Sequence, residues 1–442
     1  MRSALFVFLG LASCLPKTFT YAEGGGGGAG GGQGGGAVCG NGVVDAGEAC
    51  DSGPASDDYE DETLAPDAPP AACSTTCRNM VSWSWRDPTG TEDSAAFGIA
   101  PIPGGYLVGG HRGAGLVPLD LVTVHYGGQR LLVSLSLAGS TETVFDPPVD
   151  PGANNAILGL VPNADGTVIA LESEHVAGDH LYTYLSRWDG GTRLSVSPPL
   201  SSAQGAFAQL TAADGAGTVR GIGRQIDGNV HVVSVSATDE SKDEIVFPGV
   251  DDGGSGAIAS RPEGNIVVWD DQGAVLGPDA IPLSTFVVNA EITAGCARPD
   301  GTAVFAGWVW ADEQYDTYVM IISESGNLLS EATYAAPSGG WDGANALACA
   351  ADGSFVVAGQ ETIDPVELDN LSYTQAVLRR FRADGTLAWT RRHKSPVVNG
   401  DGSVSQTFAT SVAIEPDGSV LVAGQEMINV QHAVAWARRY AP

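Results

Sequence analysis

Ala346–Gln360 reads ALACAADGSFVVAGQ, and Ser411–Gln425 reads SVAIEPDGSVLVAGQ. In each, a run of small and apolar residues meets Asp-Gly, and a β-branched run follows. Asp-Gly between two such runs marks a tight β-hairpin, because glycine takes the positive φ that the turn requires. The pattern recurs at Ile292–Gly307 around Pro299-Asp300-Gly301, at Ala257–Trp269 around Pro262-Glu263-Gly264, and at Ile157–Leu171 around Asp165-Gly166. Phe97–Gly110, with Pro103-Gly104-Gly105, and Ala208–Gly223, with Asp214-Gly215, are looser copies.

A second hairpin lies downstream of the first, most plainly in Ala376–Arg391, AVLRRFRADGTLAWTR. Each unit therefore has four strands, A to D. Residues 80–442 shared among seven units give about 52 residues each, the size of a propeller blade. The reading is an all-β chain whose main domain is a seven-bladed β-propeller behind a small disulfide-stapled module. Units three and four are degenerate and Pro262–Asn289 is short, so six or eight blades stay open. The hairpins and the Asp384-Gly385-x-x-x-Trp389 ending resemble bacterial SBBP-type and quinoprotein-type propeller repeats, a resemblance that implies fold rather than activity.

The last unit offers three strands before Pro442. The missing fourth has a counterpart just ahead of the first A strand, in Met80-Val81-Ser82-Trp83-Ser84-Trp85-Arg86. This segment superposes without a gap on strand D of unit six: Val81 on Leu387, Trp83 on Trp389, Arg86 on Arg392. Strand alternation puts Val81, Trp83 and Trp85 on one face. Residues 80–86 are thus expected to complete the last blade and close the ring.

Composition agrees. Gly supplies 60 of 442 residues, about twice average usage, with 25 Pro and 4 Met, which favours short strands and turns over long helices. Hydrophobic residues at 43% are enough for a core and exclude global disorder. A net charge of −31 excludes nucleic acid as a partner, since phosphate binding needs a basic footprint.

Residues 1–22 read as an export signal. Met1-Arg2 is a short basic start, and Ala4–Ala12 (ALFVFLGLA) is an apolar run too short to span a bilayer. Leu11-Ala12-Ser13-Cys14 resembles a bacterial lipobox, which implies lipidation of Cys14; Thr20-Tyr21-Ala22 offers ordinary cleavage before Glu23 instead. Residues 23–38 are a Gly-rich linker, a flexible coil. Residues 39–79 hold Cys39, Cys50, Cys73 and Cys77 and are too poor in apolar residues for a core, so two disulfides should hold them, with three pairings open.

Cys39-Gly40-Asn41-Gly42-Val43-Val44-Asp45-Ala46-Gly47-Glu48-Ala49-Cys50-Asp51 and Cys73-Ser74-Thr75-Thr76-Cys77 resemble the opening and close of the myxobacterial cysteine-rich repeat, which implies a secreted or surface protein. An acidic insert, Asp57–Glu62, separates the halves. Asp45, Glu48 and Asp51 are hard oxygen ligands of the kind Ca²⁺ takes, although solvated acids in a tied loop explain them better, because their spacing fits no EF-hand. With Cys14 lipidated, six cysteines remain of seven. The last two, Cys296 and Cys349, occupy A strands of consecutive units, where a bridge and a pair of buried thiols are equal readings.

Catalytic motifs are absent: the sequence has no Gly-x-Ser-x-Gly elbow, Walker loop or HExxH. His175 and His180 are the only close histidines, on a B–C loop where a polar surface turn explains them better than zinc. The inter-blade and B–C loops share one propeller face and gather acids with two tryptophans: Asp251, Asp252, Trp310, Asp312, Trp341, Asp342 and Asp401. Such a face suits cations, sugars or a basic protein patch, although loops are polar by default. Eight of 21 basic residues, Arg379, Arg380, Arg382, Arg391, Arg392, Lys394, Arg438 and Arg439, fall on the rim of units six and seven, where the acidic insert could dock.

The leading reading is an exported bacterial envelope protein: an outer-membrane or cell-surface lipoprotein, or a secreted protein. Its propeller binds an extracellular ligand, a glycan or an envelope protein, without catalysis and without a cofactor, save Ca²⁺ if the acids above hold it. A monomer is expected. The alternative is a propeller-based enzyme, such as a polysaccharide lyase or hydrolase, for which carboxylates would have to converge on the loop face.

Overall fold

The computed structural model describes residues 81–442, except for 89–92, 114–128, 146–153, 164, 177–179, 198–204, 213–217, 226–228, 237–241, 248–255, 262, 270, 278–280, 312–313, 337–339, 365–372, 394–405 and 430–431. The export signal, the linker and the cysteine-rich module, with Cys14, Cys39, Cys50, Cys73, Cys77, Asp45, Glu48 and Asp51, lie outside the described residues.

The described residues form seven four-stranded antiparallel sheets. A first strand, β1 (Val81–Arg86), precedes blade 1, which is β2 (Ser94–Ile102), β3 (Gly105–Arg112), β4 (Gln129–Ser136) and β5 (Thr141–Phe145). Blade 2 is β6 (Asn154–Pro162), β7 (Val168–Val176), β8 (His180–Asp189) and β9 (Thr192–Val196). Blade 3 is β10 (Gly205–Ala212), β11 (Thr218–Gln225), β12 (Val230–Ser236) and β13 (Lys242–Phe247). Blade 4 is β14 (Gly256–Arg261), β15 (Gly264–Trp269), β16 (Gln272–Leu276) and β17 (Pro282–Val287). Blade 5 is β18 (Glu291–Ala297), β19 (Ala303–Ala311), β20 (Gln314–Ile322) and β21 (Leu328–Tyr334). Blade 6 is β22 (Gly343–Cys349), β23 (Phe355–Asp364), β24 (Tyr373–Phe381) and β25 (Leu387–His393). Blade 7 takes β26 (Gln406–Ile414), β27 (Val420–Asn429) and β28 (His432–Tyr440) from the end of the chain and β1 from its other side.

Each inner strand contacts the inner strand of the next blade, and β26 contacts β2, so the seven sheets form a closed ring, a seven-bladed β-propeller. All seven hairpins read from the sequence are the A–B pairs. Blade 4 is short because its hairpins are tight: Arg261 pairs with Gly264 and Trp269 with Gln272, leaving two residues in each turn. The Asp-Gly turns share one design. The Asp352 carboxylate accepts hydrogen bonds from the Ser354 N–H (2.9 Å) and Oγ (2.6 Å), while Gly353, at φ 82°, returns its N–H to the Ala350 carbonyl (3.0 Å). Asp300 with Thr302 and Asp384 with Thr386 repeat the arrangement.

Hydrophobic burial occurs mainly between blades rather than within them. Seven apolar clusters are present among the described residues, one at each blade interface. The cluster between blades 7 and 1 holds Trp83, Trp85, Ile99, Tyr106, Val133, Leu421 and Ala437. Its Trp83 ring lies 5.1 Å from that of Tyr106, and Trp85 donates from Nε1 to Thr141 Oγ1 at 2.9 Å. The first strand thus pairs with blade 7 while packing on blade 1.

Polar stitches reinforce one arc of the ring. A bulge in each of β18, β22 and β26 frees one residue to reach the next blade. Thr293 Oγ1 donates to the Ala344 carbonyl (2.6 Å), Asn345 Nδ2 to the Ala409 carbonyl (3.0 Å), and Thr410 Oγ1 to the Ala96 carbonyl. The bulged residues of β2, β6 and β10 are Phe97, Leu158 and Ala208, residue types with no side-chain donor to offer. A disulfide between Cys296 and Cys349, with Cα atoms 5.7 Å apart, ties blade 5 to blade 6, which selects the bridge over the thiols.

Candidate functional site

The loop face of blades 5 and 6 carries an aromatic ridge. The hairpin β19–β20 places Trp310 directly opposite Tyr315, with Trp308 two residues back on the same strand face. The chain crossing from blade 5 to blade 6 then lays Trp341 beside Tyr315 in a single parallel bridge, and the Asp342 N–H donates to the Tyr315 carbonyl at 2.8 Å. Tyr315 meets Trp308, Trp310 and Trp341 edge-on, with ring centroids 4.6, 4.7 and 5.0 Å apart. Edge-to-face contact of this kind is favourable and fixes the rings relative to one another. Trp310 is 59% and Trp341 63% exposed.

Polar groups beneath hold the ridge in place. Thr362 Oγ1 accepts from the Trp341 N–H (2.8 Å) and donates to the Trp341 carbonyl (2.9 Å). Gln314 is oriented by Asp316 (2.8 Å) and accepts from the Gly340 N–H (3.1 Å). Gly340 sits at φ 118°, and a Cβ there would lie 2.7 Å from the Thr362 side chain, so the approach of the two chains admits only glycine.

Deeper still, Glu361 binds Arg379 (2.9 Å) and Arg392 (2.7 Å), and Arg379 reaches back to Thr317 of blade 5 (3.3 Å). The buried pair Glu361–Arg379 therefore bridges the two blades under the ridge.

Of the expected loop-face residues, the structure brings together Trp310 and Trp341. Asp342, expected as an exposed acid, is buried instead. Its Oδ1 accepts from the Thr362 N–H at 2.8 Å and its Oδ2 from the Ala336 N–H. Burial pushes its pKa up to about 6, against the lowering effect of those two N–H donors. Asp251, Asp252, Asp312 and Asp401 lie outside the described residues. Tyr315, the hub of the ridge, was not singled out by the sequence reading. Its signal is the two-residue connection Asp312-Glu313, which sets Trp310 opposite Tyr315 once a hairpin is drawn.

Several basic residues of blades 6 and 7 serve the fold, while Lys394 lies outside the described residues. Arg439 binds Glu415 (2.5 Å) and Asp417 (2.7 Å), Arg380 donates to the Gly418 carbonyl (2.6 Å), and Arg391 stacks over Trp389 at 5.1 Å. The acidic insert lies outside the described residues. His175 and His180 flank the β7–β8 turn, with Val176 paired to His180.

No family model matches the chain, and no curated protein does. Solved structures of similar fold include a protein of unknown function from Dyadobacter fermentans (13% identity, 79% of this chain and 95% of that one, TM-score 0.44). One from Bacteroides caccae, also of unknown function, aligns at 10% identity over 68% and 94% of the two chains, with a TM-score of 0.40. The WD40 domain of SCAP from fission yeast aligns at 9% identity over 72% and 82%, with a TM-score of 0.37.

Proposed function

We propose that this chain is an exported bacterial envelope protein whose propeller binds an extracellular ligand, a glycan or an envelope protein, on the ridge of Trp310, Tyr315 and Trp341. The observation that carries this reading is the contrast among the tryptophans. Trp83, Trp85, Trp188, Trp269 and Trp436 are each at most 5% exposed, while Trp310 and Trp341 are mostly in solvent yet fixed by ring and backbone contacts. Large aromatics held rigid at a surface offer contact area at little entropic cost, and they are the residues that dominate binding energies. The export signal, the Gly-rich spacer and the resemblance to the cysteine-rich repeat support a location outside the cell, and the lipobox-like Leu11–Cys14 supports Cys14 as a lipid anchor.

Binding of the purified chain to a glycan array and to immobilised envelope proteins tests the ridge. Trp310→Ala and Trp341→Ala should each weaken binding of the captured ligand by about tenfold or more while lowering the melting temperature by no more than a few degrees, as loss of one ring contact with Tyr315 implies. Ligands held equally well by both variants would remove the ridge from the reading. For the anchor, Cys14→Ser should move the protein from membranes to the soluble fraction, whereas a mature N-terminus at Glu23 would oppose lipidation.

A further inference from the structure

The outer strand of blade 4 differs from the other six. β17 is Pro282-Leu283-Ser284-Thr285-Phe286-Val287, and no charged residue occurs from Ala280 to Ala290. Every other outer strand carries charge: Glu142 in β5, Arg193 in β9, Lys242, Asp243 and Glu244 in β13, Glu331 in β21, Arg391 and Arg392 in β25, and Arg86 in β1. Charges on an edge strand are one of the devices that keep it from pairing with another chain.

β17 is also apolar where it faces solvent. Ile281, Leu283 and Val287 are 62%, 69% and 76% exposed, and Thr285 between them is exposed too. The alternate residues turn inward: Ser284 Oγ donates to the Ser325 carbonyl of blade 5 (3.0 Å), and Phe286 packs toward Gly326. Among the described residues no strand lies beyond β17 in its sheet.

We propose that two copies of this chain pair antiparallel through β17, about a two-fold axis at Thr285, to join two blades into one eight-stranded sheet. The charge pattern selects the occupant. An isologous pair sets a strand beside its own copy, so two strands of the same net charge are brought together, and every outer strand but β17 has a net charge. In a chain of net charge −31, the neutral β17 is the outer strand that escapes this penalty. The register follows from the side chains. Centred on Thr285, Leu283 of one copy faces Val287 of the other, Thr285 faces Thr285, and Pro282, which has no N–H to give, falls outside the paired stretch.

Sedimentation of the purified chain at micromolar concentration should give twice the chain mass. Thr285→Lys, at an exposed position, should raise the dimer dissociation constant by about tenfold or more while the melting temperature holds. Cysteine crosslinking reads the register. Thr285→Cys should form an intermolecular disulfide on mild oxidation, and Leu283→Cys should not, because residues 283 of the two copies would be about 13 Å apart along the strands, beyond the ~7 Å that a disulfide tolerates. A monomeric wild type, a dimer indifferent to Thr285→Lys, or equal crosslinking at 283 and 285 would each overturn the proposal.

Discussion

Arg86 donates to Glu426 at 3.2 Å across 340 positions of sequence, and Arg392 makes the same bond to Glu361 one blade earlier, at 2.7 Å. The two pairs are equivalent in register: Arg86 lies opposite Trp436, which lies opposite Gly424, as Arg392 lies opposite Val377 and Val377 opposite Gly359. The strand at the start of the domain therefore occupies the D position of blade 7 in full register, down to the ion pair with strand B.

Trp83 tests this closure. It is 5% exposed and packed between blade 7 and Tyr106 of blade 1. Trp83→Ala should cost about 3–5 kcal/mol in urea unfolding. A chain beginning at Thr89 should be less stable still and self-associating through the uncovered edge of β28. Equal stability of the shortened chain would show that the ring does not need the strand.

The Cys296–Cys349 bridge closes a loop of 53 residues. Replacing both with Ala should lower stability by about 2–4 kcal/mol by freeing the unfolded chain. The loss should be smaller on adding reductant to the double variant than to the wild type. Thiol labelling of denatured, unreduced protein should find neither cysteine reactive.

Asp342 should leave a signature in the pH dependence of stability. Its folded pKa is raised by burial to about 6, above the ordinary carboxylate value. The folded state therefore holds this proton more tightly, and the stability it brings is complete below about pH 4 and lost as pH rises through 6. Against Asp342→Asn, the wild-type unfolding constant should rise by up to about tenfold per pH unit across that window and run parallel above it. A flat difference between the two proteins from pH 4 to 7 would refute the assignment.

His111 should act in the opposite sense. It is 1% exposed, neither ring nitrogen has a hydrogen-bond partner, and burial lowers its pKa to about 4 despite nearby Asp93. The unfolded chain binds the proton first, so stability falls as pH drops from about 6.5 to 4 and levels off below. His111→Leu should remove that limb, by up to about tenfold in the unfolding constant per pH unit. An unchanged acid limb in the variant would show that His111 does not supply it.

The sequence by itself determined the hairpins from which the blades are built, and the ring settled their number at seven. An Asp-Gly turn followed by Ser or Thr is a local device: the carboxylate of Asp352 or Asp384 binds groups two residues on, so the hairpin needs no distant partner. Alternation fixed the faces of Val81, Trp83 and Trp85 in the same local way, and the repeat then supplied the closing strand. What only the tertiary structure decided lies between blades. The ring sets which side chains of neighbouring units meet, and no local pattern encodes that. Tyr315 became the hub of the ridge because the crossing to blade 6 lays Trp341 against it. Asp342 left the acidic face because two backbone N–H groups, on Thr362 and Ala336, converge where it stands. Arg379, counted among the rim cations, is buried because Glu361 lies beneath the ridge to hold it. The two cysteines bridge because adjacent inner strands bring their Cα atoms to 5.7 Å, a distance fixed by the packing of one blade on the next.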